Sequence, residues 1–264
     1  MRRVVFNQKG GVGKSSITCN LAAISAQQGY KTLVIDLDVQ GNTTHYLLGK
    51  ASTECENNIA QYFEQVLSFK VFNKKPEDFI TPSPYENLDV IASSPELEHL
   101  ERKLEAKHKI YKLRDALKAL ERKYDRIFVD TAPALNFYTQ SALIACNKCL
   151  IPFDCDDFSR KALYNLGMEI QEIQEDHNDE LKIEGIIVNQ FQPRASLPQQ
   201  LIKELIEEGL PVLPVYLTSS VKMKESHQKN RPLIHMDPKH KLTHQFVELS
   251  EVLEGKKVGH PEFA

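Results

Sequence analysis

The chain of 264 residues has no tryptophan and only five cysteines, Cys19, Cys55, Cys146, Cys149 and Cys155. Their uneven spacing does not fit the disulfide framework of a secreted domain. Cys146 and Cys149 form a CxxC pair, but no second pair or histidine cluster accompanies it. The sequence therefore favours packing cysteines over a metal or redox site.

Long apolar runs and an excess of basic charge are also missing. No run approaches the ~20 residues that a membrane span needs, and the N-terminal MRRVVFNQKGG does not resemble a secretory signal. The formal net charge of -3 excludes a globally basic nucleic-acid-binding module, so any DNA contact must come from a local patch. With 41% hydrophobic residues, the chain is expected to form one soluble cytoplasmic domain over residues 1–264.

Short β-branched apolar runs alternate with longer amphipathic stretches, which is typical of an α/β fold with a mostly parallel sheet between helices. The predicted strands are 4–6, 32–35, 88–92, 126–129, 149–153, 183–188 and 212–216. The predicted helices are 15–28, 95–106, 111–123, 138–145, 161–175, 197–208 and 241–253. Residues 50–87 are rich in Asn, Lys and Pro, and we interpret them as an irregular excursion with one helix near 59–69.

The strongest motif is QKGGVGKSS at residues 8–16, placed between a predicted strand and a predicted helix. Glycines let the backbone curl so that its N–H groups face phosphate oxygens, and the helix N-terminus adds positive potential. Such a loop predicts that Lys14 holds the β- and γ-phosphates, that Ser15 binds Mg²⁺, and that Ser16 reaches the α-phosphate. The predicted phosphate-binding residues are Gly10, Gly11, Val12, Gly13, Lys14, Ser15 and Ser16.

Gln8 stands where the general phosphate-loop pattern has its first glycine, and Lys9 follows it. KGGVGKSS thereby resembles the altered phosphate loop of the ParA/MinD family. The resemblance implies a P-loop NTPase fold, ATP and Mg²⁺ as cofactors, and a dimer formed around ATP. It also implies that Lys9 reaches the phosphates of the partner subunit and acts in catalysis with Lys14.

Two acidic strand ends extend the resemblance. VIDLDVQGNTT is similar to the family's DxDPQGN, with Val39 in place of the proline, and DTAP at Asp130 is similar to its DxPP. By that match, Asp36 and Asp130 organise Mg²⁺ and Asp38 orients the attacking water. A buried carboxylate at a strand end is costly unless it meets a cation, which favours the same assignment for Asp130.

The later part of the chain also resembles the family. In GIIVNQFQPR, Asn189 occupies the position of an asparagine that binds the adenine edge, and VKMKESHQKNRP is similar to VRLSEAPxxGKP. Clustered cations suit contact with DNA phosphates without sequence preference. The candidate DNA-binding residues are Arg194, Lys222, Lys224, Lys229 and Arg231. Arg160 and Lys161 depart from the family pattern and either extend this patch or mark another partner surface.

The resemblance is to short ParA-type proteins, because no helix-turn-helix sequence precedes the first strand. It implies a nucleoid-associated partition or positioning ATPase that works on non-specific double-stranded DNA with a ParB-like adaptor. Three alternatives are a MinD-like membrane-associated ATPase, a metabolic ATP-dependent amidoligase and a nucleotide-regulated scaffold. The terminal GKKVGHPEFA lacks a basic amphipathic helix, which disfavours the first. An iron-sulfur reductase is disfavoured because residues 131–140 contain no cysteine.

Overall fold

The computed structural model describes residues 1–68, 73–155 and 157–261. The strands are β1 (Arg2–Val5), β2 (Thr32–Asp36), β3 (Thr81–Pro82), β4 (Leu88–Ile91), β5 (Arg126–Asp130), β6 (Lys148–Phe153) and β7 (Lys182–Val188). The helices are α1 (Lys14–Gln27), α2 (Asn42–Leu48), α3 (Ile59–Leu67), α4 (Leu97–Ala106), α5 (Lys112–Leu120), α6 (Phe137–Ala145), α7 (Asp157–Asp176), α8 (Ser196–Glu207), α9 (Val221–Gln228), α10 (Leu233–Met236) and α11 (Lys241–Leu253).

Within the described residues, the seven strands form one sheet in the order β3-β4-β2-β5-β1-β6-β7. The β3–β4 pair is antiparallel and every other pair is parallel. The central strands are buried along their length, as expected for a sheet covered on both faces. The α/β fold predicted from the sequence is confirmed, and the carboxyl ends of β1, β2 and β5 meet at one edge, where such sheets bind ligands.

Helices cover both faces of the sheet. On one face α1 packs against α10 and α11, around a core that includes Ile17, Val34, Phe128 and Phe246. On the other face α4 and α5 contact α6, and α6 contacts α7. Among the described residues, no helix combines the length and apolar character needed to cross a membrane.

Residues 50–87 contribute to the core. They contain α3, which begins after Asn58, whose side chain accepts a hydrogen bond from the backbone N–H of Gln61. Two 3₁₀ turns, Ser52–Glu54 and Pro76–Phe79, and the edge strand β3 complete the segment. Phe63 and Phe79 are buried with 0% and 2% exposure. The predicted 59–69 helix ends at Leu67 with Ser68 as its C-cap, and its last predicted residue, Phe69, lies outside the described part of the chain.

The predicted strand 212–216 is wrong. Only Val212 makes an isolated bridge, to Ile186, and Leu217 donates its N–H to the carbonyl of Val188. The segment runs beside β7 without a continuous ladder, because Pro211 and Pro214 lack an N–H to donate. The sequence patterns also missed β3, α2, α9 and α10, which are too short for a periodic signal to appear.

Candidate active site

The phosphate loop connects β1 to α1 at the carboxyl edge of the sheet. Gly13 precedes α1 with a φ of 93°, in the left-handed region that favours glycine. A Cβ at this position would clash with Nδ2 of Asn189. Gly13 offers no side-chain cap to α1, so the N–H groups of the first turn remain available to an anion.

Lys14 is buried inside this loop, with 7% exposure. Its Nζ donates to the backbone carbonyls of Asn7 and Lys9, both at 2.9 Å. Burial lowers the pKa of Lys14, and the charges of Asp130 and Asp38 oppose that shift. The ammonium group of Lys14 is thus oriented by the backbone of the phosphate loop. When a nucleotide binds, phosphate oxygens would replace these neutral carbonyls as acceptors.

Lys9 has a different environment. Its backbone N–H donates to Oδ1 of Asn7 at 2.9 Å, and its Nζ forms an ion pair with Oδ2 of Asp154 at 2.7 Å. Asp154 directly follows β6, which lies beside β1. The Lys9 side chain is 32% exposed and that of Asp154 is 17% exposed. In a single chain, Lys9 therefore contacts an acid of its own subunit.

Asp36 and Asp130 end the neighbouring strands β2 and β5 and are paired in register. Both are fully buried. Oδ2 of Asp36 accepts hydrogen bonds from the backbone and hydroxyl of Thr44 at 2.8 and 2.7 Å. Oδ2 of Asp130 accepts from the Thr43 hydroxyl at 2.7 Å, whereas its buried Oδ1 has no hydrogen-bond partner among the described residues.

This pair of carboxyl groups fits a cation. Burial raises the pKa of both, and the charge of Asp130 raises that of Asp36 further. Two adjacent buried carboxylates repel each other, so a bound cation would favour the state in which both groups are ionised. The unpaired Oδ1 of Asp130 and the hydroxyl of Ser15, at the start of α1, are oxygen ligands of the kind that Mg²⁺ prefers.

Asp38 lies two residues beyond Asp36 and is 8% exposed. Its Oδ1 accepts the backbone N–H of Gln40 at 3.0 Å, and its carbonyl accepts the hydroxyl of Ser93 at 2.5 Å. These bonds fix the turn that follows β2. The Asp38 side chain lines a cleft of about 520 Å³ together with Gly10 and Lys14 of the phosphate loop.

Asn189 and Gln190 follow β7 and contact the phosphate loop. Nδ2 of Asn189 donates to the carbonyl of Val12, and Nε2 of Gln190 donates to that of Gly11, both at 2.9 Å. A groove of about 750 Å³ begins beyond them, between residues 191–195 and 218–220. Binding of adenine by Asn189 stays a prediction, and this groove begins at Phe191, two residues beyond Asn189.

The basic candidates differ in their environments. Lys222 on α9 pairs with Glu225 at 2.9 Å and with Asp237 at 3.6 Å. Lys224, also on α9, is exposed, as are Lys229 and Arg231 in the turn after this helix. Arg194 is exposed at the other end of α9, in the groove that also contains the N-cap residue Ser220. The structure thus places four cations on or next to one helix and Arg194 beside its start.

Arg160 and Lys161 lie near the start of α7. Arg160 forms ion pairs with Glu204 on α8 and with Glu208 directly after it, so its charge is offset by two carboxylates. Lys161 is exposed. The CxxC cysteines are buried free thiols, and burial raises the pKa of Cys146 to about 12. The described residues contain no cluster of metal-binding side chains around them.

Several residues that shape the site were absent from the sequence analysis. They are Asn7, Thr43, Thr44, Asp154 and His227. The two threonines belong to the QGNTT stretch, so the motif itself contained their signal. Asp154 and His227 carried no such signal, because their contacts span 145 and 211 positions of sequence.

The sheet topology, the strand-loop-helix arrangement at Lys14 and the acidic ends of β2 and β5 define a P-loop nucleoside triphosphatase. A family model described as an AAA domain matches residues 3–183. The chain belongs to the ParA/MinD-type family of P-loop ATPases.

Named relatives support this membership. The chromosome partitioning protein ParA of Myxococcus xanthus is 31% identical over 254 residues, which cover 94% of this chain and 86% of that protein. Soj, a sporulation initiation inhibitor of Bacillus subtilis, is 30% identical over 250 residues, covering 94% and 95%. A cobyrinic acid a,c-diamide synthase from Mycobacterium smegmatis, solved with an ATP analogue and magnesium, is 21% identical and covers 99% of both chains with a TM-score of 0.83. That last likeness shows a shared fold.

Proposed function

We propose that this chain is a partition or positioning ATPase that dimerises around ATP and binds DNA non-specifically in that state. The observation that carries the proposal is the arrangement of two lysines in one phosphate loop. Lys14 is buried inside the loop, whereas Lys9 is partly exposed at its rim. Asp38 lines the same cleft. A buried Lys14 can hold the phosphates of its own subunit, and a partly exposed Lys9 can contact the phosphates of a second subunit. This arrangement fits an active site that two subunits form together.

The nucleotide fits the loop with its phosphates against Lys14 and the first turn of α1. Ser15, Asp36 and Asp130 would hold Mg²⁺, which would neutralise charge on the β- and γ-phosphates. The orphaned Oδ1 of Asp130 supports this placement. Ser16 reaches the α-phosphate, and the base occupies the groove next to Asn189.

Hydrolysis then depends on two side chains. Asp38 orients the attacking water, because this residue lines the cleft and its Oδ1 is fixed by the backbone N–H of Gln40. Lys9 of the partner subunit adds positive charge at the transferring phosphoryl group. Since Lys9 contacts Asp154 in a single chain, hydrolysis requires that it leave this acid. Turnover is thereby coupled to dimerisation.

DNA binding belongs to the ATP-bound dimer. Lys224 on α9 and Lys229 and Arg231 in the turn after it are exposed cations. Lys222 and Arg194 belong to the same candidate surface, although Lys222 is already paired with two acids. Two-fold symmetry doubles this surface, so modest cations on each subunit add up. A ParB-like or other adaptor would stimulate hydrolysis, and such a protein would act in the cytoplasm on the nucleoid.

The test measures mass in solution and phosphate release for the unmodified chain and for Lys9→Ala. With Mg·ATP, the unmodified chain should shift from monomer to dimer and hydrolyse ATP. Lys9→Ala should still bind ATP in calorimetry, because Lys14 and α1 remain, but should lose at least 10-fold in hydrolysis, in line with the loss of a catalytic cation. Normal turnover by Lys9→Ala would disprove the trans-acting role.

A further inference from the structure

His227 lies near the end of α9, on the rim of the active-site cleft. Its Nε2 is 2.9 Å from Oγ of Ser16, the last residue of the phosphate loop. His227 and Ser16 line the same cleft as Lys14. His227 therefore contacts the end of the phosphate loop at which Ser16 is predicted to bind the α-phosphate. The sequence motif predicted no side chain other than Ser16 at that position.

His227 is an exposed residue whose imidazole ring contacts neighbouring side chains. The ring packs edge-on against Tyr46 with a centroid distance of 5.1 Å. The Tyr46 hydroxyl bonds to that of Ser226 and accepts from Nδ2 of Asn20 at 3.3 Å. Nδ2 of Asn20 also donates to the Ser16 carbonyl at 2.8 Å. Side chains of α1, α2 and α9 thus form one connected group, and His227 belongs to it.

We propose that His227 is a positioning residue for the nucleotide, whose Nε2–H donates to Ser16 Oγ and so directs the Ser16 proton towards the α-phosphate. The inference rests on the proposed function, since it needs a nucleotide in this cleft. A serine hydroxyl has one proton, and a phosphate oxygen only accepts. When Ser16 donates to phosphate, its bond to His227 must run in the other direction. Nucleotide binding therefore selects the Nε2–H form of the ring.

The local chemistry agrees with this direction of donation. Desolvation lowers the pKa of His227, which favours a neutral imidazole with a single N–H. In the Nδ1–H form, the Ser16 hydroxyl would donate to Nε2 and would have no proton for the phosphate. Because Ser16 and His227 lie at the α-phosphate end, their loss should weaken ATP binding and leave the chemistry at the γ-phosphate unchanged.

The binding experiment is a double-mutant cycle measured by calorimetry with Mg·ATP. His227→Leu should raise the Kd for ATP about 3- to 10-fold, the effect of losing one hydrogen bond. His227→Gln retains an N–H donor and should bind within about 2-fold of the unmodified chain. When Ser16 is already replaced by Ala, His227→Leu should raise the Kd for ATP by less than about 2-fold, because the Ser16 hydroxyl that accepts from His227 is absent. The turnover number at saturating ATP should not change with His227→Leu.

Any of four results would overturn the proposal: unchanged ATP affinity in His227→Leu, a Gln variant as weak as the Leu variant, full additivity with Ser16→Ala, or reduced turnover at saturating ATP. His227→Ala is measured in parallel and carries the same expectation if His227→Leu does not fold. Failure of the unmodified chain to bind ATP, with Lys14→Ala giving the same null titration, would instead refute the proposed function.

A spectroscopic measurement reads the proton directly. In the ¹⁵N-histidine-labelled chain, the ring nitrogens of His227 should report protonated Nε2 and unprotonated Nδ1 when Mg·ATP is bound. His227→Gln identifies the resonance by its disappearance. A His227 ring protonated at Nδ1 and unprotonated at Nε2 in the ATP complex would contradict the stated role.

Discussion

Lys9 and Lys14 lie five residues apart in one loop, yet their environments give them different properties. Lys14 is buried and donates to two backbone carbonyls, so it is already oriented before any phosphate arrives. Lys9 is partly exposed and pairs with a side-chain carboxylate that another anion can replace. Exchange of this carboxylate for a phosphate of a second subunit is what the proposed function requires of Lys9.

Asp154→Asn should strengthen ATP-dependent dimerisation. If Lys9 must leave Asp154 to reach the partner's phosphates, each subunit gives up one partly exposed ion pair, which stabilises by about 0.2–1 kcal/mol. Two such pairs break per dimer. Removing the Asp154 charge should therefore lower the dimer Kd about 2- to 30-fold, as measured by sedimentation with Mg·ATP.

Glu169→Gln is the matched control for this prediction. Glu169 also contacts the phosphate loop and accepts a hydrogen bond from Gln8 at 2.5 Å, but it is not the carboxylate paired with Lys9. Its substitution removes the same charge from the same edge and should leave the dimer Kd within about 2-fold. Equal effects of the two substitutions, or weaker dimerisation of Asp154→Asn, would argue against competition for Lys9.

Among the secondary-structure elements, α9 lies beside the active-site cleft and carries candidate residues for DNA binding. Ser220 caps it by accepting the N–H of Lys222. One side of α9 presents Lys224 to solvent, and near its end His227 contacts Ser16 of the phosphate loop. The same short helix thus adjoins both the nucleotide cleft and the candidate DNA surface.

A variant with Lys224→Gln and Arg231→Gln should bind duplex DNA less tightly while still dimerising with ATP. Both side chains are exposed, and neither forms an ion pair within the described part of the chain. Each lost phosphate contact should reduce the log-log salt slope by about 0.9. Fluorescence anisotropy on random-sequence duplex, with Mg·ATP across a salt series, measures both the affinity and the slope.

The matched variant carries Lys103→Gln and Lys118→Gln, which neutralise two exposed lysines on α4 and α5. It changes net charge equally and should leave DNA affinity and salt slope unaltered. If both variants lose affinity equally, the interaction follows net charge and α9 is not the binding surface. If neither changes, DNA contacts lie elsewhere, and Lys161 is the next exposed cation to substitute.

At the scale of the whole molecule, residues 50–87 contribute side chains to the main core. We therefore expect this segment to unfold together with the sheet. Phe63 is fully buried, with ring contacts to Phe137 at 6.2 Å and Tyr138 at 5.4 Å. Phe63→Ala should lower the free energy of unfolding by about 3–5 kcal/mol, through lost burial and a cavity. Urea denaturation followed by circular dichroism should still show one transition, because α3 and α6 share that core.

Glu64→Ala provides the comparison on the next residue of α3, which is exposed. It should change the free energy of unfolding by no more than about 0.5 kcal/mol. A loss below about 1 kcal/mol for Phe63→Ala would mean that the segment is only loosely attached. A separate early transition would show that it unfolds independently of the sheet.

The amino-acid sequence by itself determined the alternation of strands and helices, the phosphate loop at residues 8–16 and the acidic strand ends Asp36 and Asp130. These features are local, since strand patterning, glycine conformations and a helix N-terminus arise from neighbouring residues. Resemblance to the family motif also selected Asn189 as a candidate nucleotide-binding residue. The hydrogen bond from Asn189 to the phosphate loop was not predicted by that motif.

Only the tertiary structure decided which side chains meet across the fold. Lys9 pairs with Asp154 across 145 positions, Ser16 meets His227 across 211, and Lys222 is paired with Asp237. The same applies to residues 212–216, whose apolar character suits a strand but which form only isolated bonds beside β7, with Pro211 before the segment and Pro214 within it. The physical reason is that partners of this kind are set by the packing of distant elements on a common sheet, and no short segment carries that information.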